Sequence, residues 1–471
     1  MRKIVTLAFC GLATSLIALS IVPAQAAATK AAAPAPGGRY APKGWADRIV
    51  LAPGANAATE MGVAWRTDTR QTEAVAEIVQ DIDGPLLAHG ARRVTGTTET
   101  VTAENGAAHH HHVTFTGLSP ATRYVYRVKG VDGWSEWVPF TTAASQPAPF
   151  RFVYFGDTQD DILEIGSRVI RSAFQAAGPV ALAVHAGDQV SQREKKAHDD
   201  EYGEWAEAGG PAFRMIPQLV AAGNHEYQDA TTPDGKESRV LSTLWAHYTL
   251  PGNGAPSVKR TTYFVDYQDV RFVVLDGTSA IDLGTLEDQT RWLEQTLAAS
   301  KARWNIIVMH QPAYTCARPD DIEPVKSTWT PIFSKYKVDL VLQGHDHCYS
   351  RISHPDGAAA SHAATKAGSP IGPVYMVSVV GSKMYGLNDR ASTQPVRVAE
   401  NTELYQMVDV SADRLAVRAY TATGNLYDAF AIVRGQDGRN RLEESREPLL
   451  PTRKCDGKNG PDNRPCSARG K

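Results

Sequence analysis

Charge imbalance is what this chain most plainly lacks. Its 49 basic and 51 acidic side chains leave a formal net charge of −2 over 471 residues. Such a chain has no long-range field with which to gather nucleic acid or an anionic membrane surface, and neither is an expected partner. No segment recurs at a fixed period, which argues against a solenoid or propeller. Cysteine is scarce, at five residues. Between about Tyr40 and Thr142 no convincing amphipathic helix can be traced, so that stretch must build its core from strands.

The N-terminus reads as a targeting segment. Arg2 and Lys3 precede the apolar run "IVTLAFCGLATSLIALSIV", and Ala24-Gln25-Ala26 supplies small residues for cleavage. Residues 1–26 are expected to be a cleavable signal peptide, and the mature protein to be secreted or periplasmic without a membrane anchor. A retained anchor is the other reading, disfavoured by the small-residue exit. Cys10 lies too early, after bulky Phe9, to mark a lipoprotein. Export makes disulfides permissible. Cys316, Cys348, Cys455 and Cys466 then remain, with three fully paired connectivities. Cys455 and Cys466 bracket the polar loop "DGKNGPDNRP", where a local staple is expected.

Residues 27–39 form an Ala/Pro/Gly-rich linker. Residues 40–145 follow as short alternating segments separated by turns. In "VTFTGLSPATRYVYRVKG", Leu118, Pro120, Thr122 and Tyr124 lead into alternating Tyr126 and Val128, the tyrosine-corner pattern of a fibronectin type III-like sandwich. His109–His112 suggest a metal site or a tag, but neighbours on a strand face opposite ways and cannot all ligate one ion. After "TTAASQPAP" strand-like and helical runs alternate. The expected helices lie near Ser167–Ala176, in "TLEDQTRWLEQTLAAS" and near Trp329–Tyr336. This grammar predicts an α/β domain over 148–434. A polar, loosely packed tail is expected over 435–471.

Polar residues stand where the apolar runs end: Asp157 in "FGDTQ", Asp188 in "AGDQVS", Asn224 and His225 in "AGNHEY", His310 in "VMHQP", and His345 and His347 in "GHDH". Ligand sites of open α/β sheets gather at the carboxyl ends of strands. Alone, each aspartate or asparagine could cap a turn, and His225 with Glu226 could be a surface ion pair. Together, two carboxylates, an amide and three imidazoles are the donor set a pair of metal cations wants.

These motifs, in this order, resemble the calcineurin-like metallophosphoesterase superfamily: GDx, GDxx, GNH[DE], H and GHxH. The tyrosine-corner domain in front, ending "YR…GWSEWVPFTT", makes the chain similar to the purple acid phosphatase branch over roughly residues 40–433. The resemblance implies a four-layer α/β/β/α sandwich preceded by an all-β domain. It also implies a metal-dependent phosphoric ester hydrolase with two ions, drawn from Fe, Zn and Mn. One ion would take Asp157, Asp188 and His347. The other would take Asp188, Asn224, His310 and His345. A metal-held hydroxide would attack a small phosphate ester, with His225 protonating the leaving oxygen and Asp188 setting the metal spacing. Cys316 and Cys348 lie close behind metal-bearing strand ends, where they read either as a disulfide buttressing the site or as two separate thiols.

Two positions depart from the family pattern. Purple enzymes place tyrosine three residues after the bridging aspartate, where this chain has Ser191, and many relatives place histidine where it has Gln159. The Gln159 carbonyl oxygen is left as a replacement ligand, and a colourless protein is expected. Arg318 in "HQPAYTCARPDD" reads as a solvated loop residue, the alternative being a phosphate contact. "CYSR" keeps Tyr349 and Arg351 of the usual motif. Asp346 is expected to support a turn or its neighbours rather than bind metal. Phosphate monoesters are the leading substrate class. A phosphodiesterase or nucleotidase on the same ions, and a non-catalytic extracellular binding protein with a degenerate centre, are the alternatives.

Overall fold

A computed structural model describes residues 38–191, 198–354, 368–393, 397–455, 457–460 and 463. The expected signal peptide, nearly all of the expected linker, the centre of the Arg351–Gly372 loop and Cys466 lie outside the described residues. Among the described residues no helix is long and apolar enough to cross a membrane.

The N-terminal segment alternates small apolar and polar residues, and it folds as strands for that reason. One sheet runs Asp47–Pro53, Met61–Asp68, Gly106–Phe115 and Thr97–Ala103; the other is built on Arg92–Thr95, Val75–Gln80 and Arg123–Gly130. Their inner faces close on Trp65, Val113, Phe115, Tyr126 and Phe140. Tyr124 Oη accepts the Ser119 N–H at 2.9 Å, the expected corner. The four histidines alternate as a strand requires: His110 is buried edge-on to His247, while His111 sits between Thr67 and Thr98.

The α/β domain has two sheets. In one, Phe150–Phe155, Leu182–His185 and Gln218–Val220 run parallel and continue into the antiparallel strands Leu404–Val410, Arg414–Thr421 and Leu426–Arg434. In the other, Val270–Val274, Trp304–Val308, Leu340–Gln343 and Val374–Val377 are parallel neighbours. Alternate residues of each central strand face different layers. Phe152, Tyr154, Ile306 and Leu342 meet between the sheets. Val153 and Phe155 face helices Ser167–Ala177 and His198–Gly209, while Ile307 and Val341 face helices Leu286–Ala298 and Glu323–Lys335. Both faces of the central parallel strands are covered, which is why these strands read as unbroken apolar runs.

Two boundaries differ from expectation. The helix foreseen near Trp329–Tyr336 begins earlier, at Glu323, with Pro324 in its first turn and Pro331 inside it. Proline in the first turn costs no hydrogen bond. The tail is not loose from Gly435 onward, because Asn440–Glu444 pairs antiparallel with Leu426–Arg434. Arg351 grips Asp428 on one strand and Glu444 on the other at 2.8 Å each, so the polar strand is held by ion pairs that hydropathy does not register.

The candidate metal centre

Every motif residue lies just beyond a strand end, on the same edge of the two facing sheets. Asp157 follows Phe150–Phe155, Asp188 follows Leu182–His185, Asn224 follows Gln218–Val220, His310 follows Trp304–Val308, and His345 and His347 follow Leu340–Gln343. Ligand atoms of Asp188, His310 and His345 lie within 4.8 Å of one another, as do those of Asp157, Asp188 and His347. Asp188 belongs to both groups. His310 Nε2 is 3.0 Å from Asp188 Oδ2, 3.2 Å from Asn224 Oδ1 and 3.1 Å from His345 Nδ1. His347 Nε2 is 3.4 Å from Asp157 Oδ1.

The backbone makes this convergence under strain. Asp188, His345 and His347 have φ of 50°, 74° and 48°, a left-handed region costly for side-chain-bearing residues. Gly223 is needed for close approach: a Cβ there would stand 2.1 Å from Asp188 Oδ1. Glu226, buried rather than at the surface, accepts the N–H groups of Asp188 and Gln189 at 2.9 Å and of Gly223 at 2.6 Å. It clamps the two loops that carry Asp188 and Asn224. The glutamate of "GNHEY" was visible in the sequence, but its role as a clamp was not.

The donor chemistry fits two cations. His310 Nδ1 donates to the Ala186 carbonyl at 2.8 Å and His347 Nδ1 to the Lys383 carbonyl at 2.7 Å. Each ring thus turns an Nε2 lone pair toward the carboxylates, the arrangement of metal-binding histidines. Asp157 Oδ1 is buried with no hydrogen-bond partner. Burial, reinforced by the Asp188 charge, pushes the Asp157 carboxyl up to about 7. Burial would raise Asp188 too, but the His310 and His225 rings outweigh it and hold that carboxylate below its usual range. Burial holds His347 down at about 3, with the nearby Lys383 ammonium adding to the effect. Cations bound among these donors would satisfy the opposed acids and bases.

His225 borders the cluster, its Nε2 3.9 Å from Asp188 Oδ2. Its Nδ1 donates to the Ser191 carbonyl, and its backbone N–H to Asp188 Oδ1 at 2.9 Å. Gln159 is buried at the group of Asp157, Asp188 and His347, where its amide nitrogen lies 2.8 Å from Asp188 Oδ2 and 2.9 Å from His347 Nε2, with Oε1 turned to Lys383. A half-turn of the amide exchanges the two ends. Ser191 Oγ donates to Asp160 at 2.8 Å.

Arg318 is not a solvated loop residue. It donates to the His345 carbonyl at 2.9 Å and pairs with buried Asp346. Asp346 also accepts the Cys316 and Ala317 N–H groups, so it braces the loop, as expected of it. Cys316 and Cys348 are joined by a disulfide. The residue that sequence reasoning missed altogether is Lys383, whose segment "GSKMYG" carries no motif.

Comparison with known proteins agrees with this fold. Residues 46–142 match the family model of the purple acid phosphatase N-terminal domain, and 150–349 that of calcineurin-like phosphoesterases. An uncharacterised protein of Mycobacterium tuberculosis is 28% identical over 334 residues, 64% of this chain and 61% of that protein. The chain thus spans less than two thirds of that relative's length. Purple acid phosphatase 23 of Arabidopsis thaliana is 21% identical over 322 residues, 63% of this chain and 67% of that protein. The purple acid phosphatase PPD1 from yellow lupin seeds superposes with a TM-score of 0.66 at 18% identity, over 83% of this chain and 75% of that one; this likeness is one of fold. With both domains and their order in agreement, the chain carries the N-terminal domain of the purple acid phosphatases followed by a calcineurin-like phosphoesterase domain.

Proposed function

We propose that the chain is an exported phosphoesterase that hydrolyses small phosphate monoesters at a binuclear metal centre. The observation that carries this reading is the sharing of Asp188 between two adjacent donor groups. Asp157, His347 and Asp188 would hold one ion, with Gln159 beside them, and Asp188, Asn224, His310 and His345 the other. Fe, Zn or Mn bound there would neutralise the phosphate and activate water toward phosphorus.

The chain's own groups do the rest. Asp188 is fixed by the His225 N–H on one oxygen and by the Gln159 amide on the other. His225 stands at the rim as proton donor to the departing oxygen. Because the Ser191 carbonyl takes the Nδ1 proton, Nε2 can donate only from the imidazolium. Ser191 offers no phenolate, which supports a colourless protein. The N-terminal run "IVTLAFCGLATSLIALSIV" and the Ala24-Gln25-Ala26 exit support export.

The test is to load metal-free protein with each ion in turn and compare aryl monoesters with bis-aryl diesters. Monoester turnover supports the proposal. A preference for diesters assigns a phosphodiesterase, and full loading without turnover of either makes the chain a binding protein. A strong visible charge-transfer band would contradict the colourless expectation.

A further inference from the structure

We propose that Lys383 is the chain's own phosphate-binding cation and selects dianionic monoesters over monoanionic diesters. The proposal rests on the phosphoesterase reading of the centre and goes beyond it. Lys383 sits past the end of strand Val374–Val377, and its carbonyl holds His347. Its backbone is therefore tied to the centre whatever its side chain does. The ammonium is 3.5 Å from Gln159 Oε1, and the other end of that amide touches Asp188 and His347. One amide group separates a lysine head from the donor cluster.

That placement suits anion binding. Beside two cations an ammonium is repelled, unless an anion lies between them to turn the repulsion into attraction. Protein holds Lys383 through long contacts, its ammonium lying 5.9 Å from the centroid of the Tyr385 ring. Asp160 Oδ2 is 3.9 Å away, half-exposed, and its other oxygen is taken by Ser191. Among the described residues bordering the cluster, the other cations are committed. Arg318 is bound to the His345 carbonyl and Asp346, and Arg239 is paired with Asp282 at 3.0 Å. The lysine side chain remains 31% exposed, so it can swing to a ligand entering from solvent. A monoester presents one more anionic oxygen than a diester does. A single extra ammonium on this side of the centre rewards that difference.

The experiment uses metal-loaded full-length protein with Lys383→Met, Lys383→Arg and Asp160→Asn. Metal content, orthophosphate binding by calorimetry, and kcat and KM on an aryl monoester and a bis-aryl diester are measured. Lys383→Met should keep its metal and bind orthophosphate about tenfold or more weakly, the scale of one charge-assisted hydrogen bond. Monoester KM should rise in parallel, with little change on the diester. Lys383→Arg should restore most of the loss, and Asp160→Asn should leave orthophosphate binding intact. Unchanged orthophosphate affinity in Lys383→Met, equal losses on both esters, or the same loss in Asp160→Asn would overturn the proposal. So would a loaded wild-type protein that binds no orthophosphate. If the wild type binds orthophosphate but cleaves no ester, the phosphoesterase reading fails while calorimetry still decides the role of Lys383.

Discussion

His225 and the ligand pair Asp157 and His310 separate two duties at the scale of single residues. His225 contacts Asp188 through its backbone and belongs to neither donor group. His225→Ala should therefore retain both ions by elemental analysis while turnover falls by about 10²–10⁴-fold, the range of general acid catalysis. Asp157 and His310 make metal uptake depend on pH. Without cations, burial chiefly pushes Asp157 up to about 7. Burial alone would lower His310, but Asp188 and Asp157 outweigh it and raise the ring to about 9. Both groups must lose their protons to bind metal. Loading the metal-free protein near neutral pH should thus release protons, and affinity should fall as pH drops below about 9 and more steeply below about 7. Calorimetry in buffers of different ionisation enthalpy measures the protons released.

Between elements, the sequence was readable wherever chemistry coincided with a strand end. The runs before Asp157, Asp188, His310 and His345 are buried on both faces, and the polar residue after each marks the site edge. Glu226 and Lys383 were not readable in the same way. Their roles depend on which loops the sheet topology brings together, and neither has a local pattern that records it. The helix from Glu323 was legible only from about Trp329, and its first turns are held by the packing of Val325 beside Trp329 and Phe333. The Gly223 turn gives the sharpest test at this scale. A Cβ at that position meets Asp188 Oδ1 and, at 2.5 Å, Asp188 N. Gly223→Ala should leave the far-ultraviolet dichroism unchanged and abolish retention of the ion shared with Asn224, as read by metal content after dialysis.

Across the whole molecule, the two domains meet through buried charge. Arg66 and Arg48 of the β-sandwich both pair with Asp199 of the α/β domain, the Arg66 contact at 3.0 Å, and Asn105 donates to Asp199 at 2.9 Å. Removing that carboxylate leaves the buried Arg48 guanidinium without an acidic partner, while Arg66 keeps Asp47 at 2.7 Å. Asp199→Asn should cost about 3–5 kcal/mol in denaturant unfolding, the penalty for breaking a buried pair. The composition gave no hint of this seam, because one aspartate among 51 acidic residues carries no signature of burial. The disulfide between Cys316 and Cys348, 32 residues apart, has a consequence of its own. It ties the loop behind His310 to the residue after His347 by a covalent link that does not depend on the ions. A chelated sample should therefore keep the mould of its centre and take up fresh metal without passing through the unfolded chain, whereas a reduced and chelated one should lose that memory.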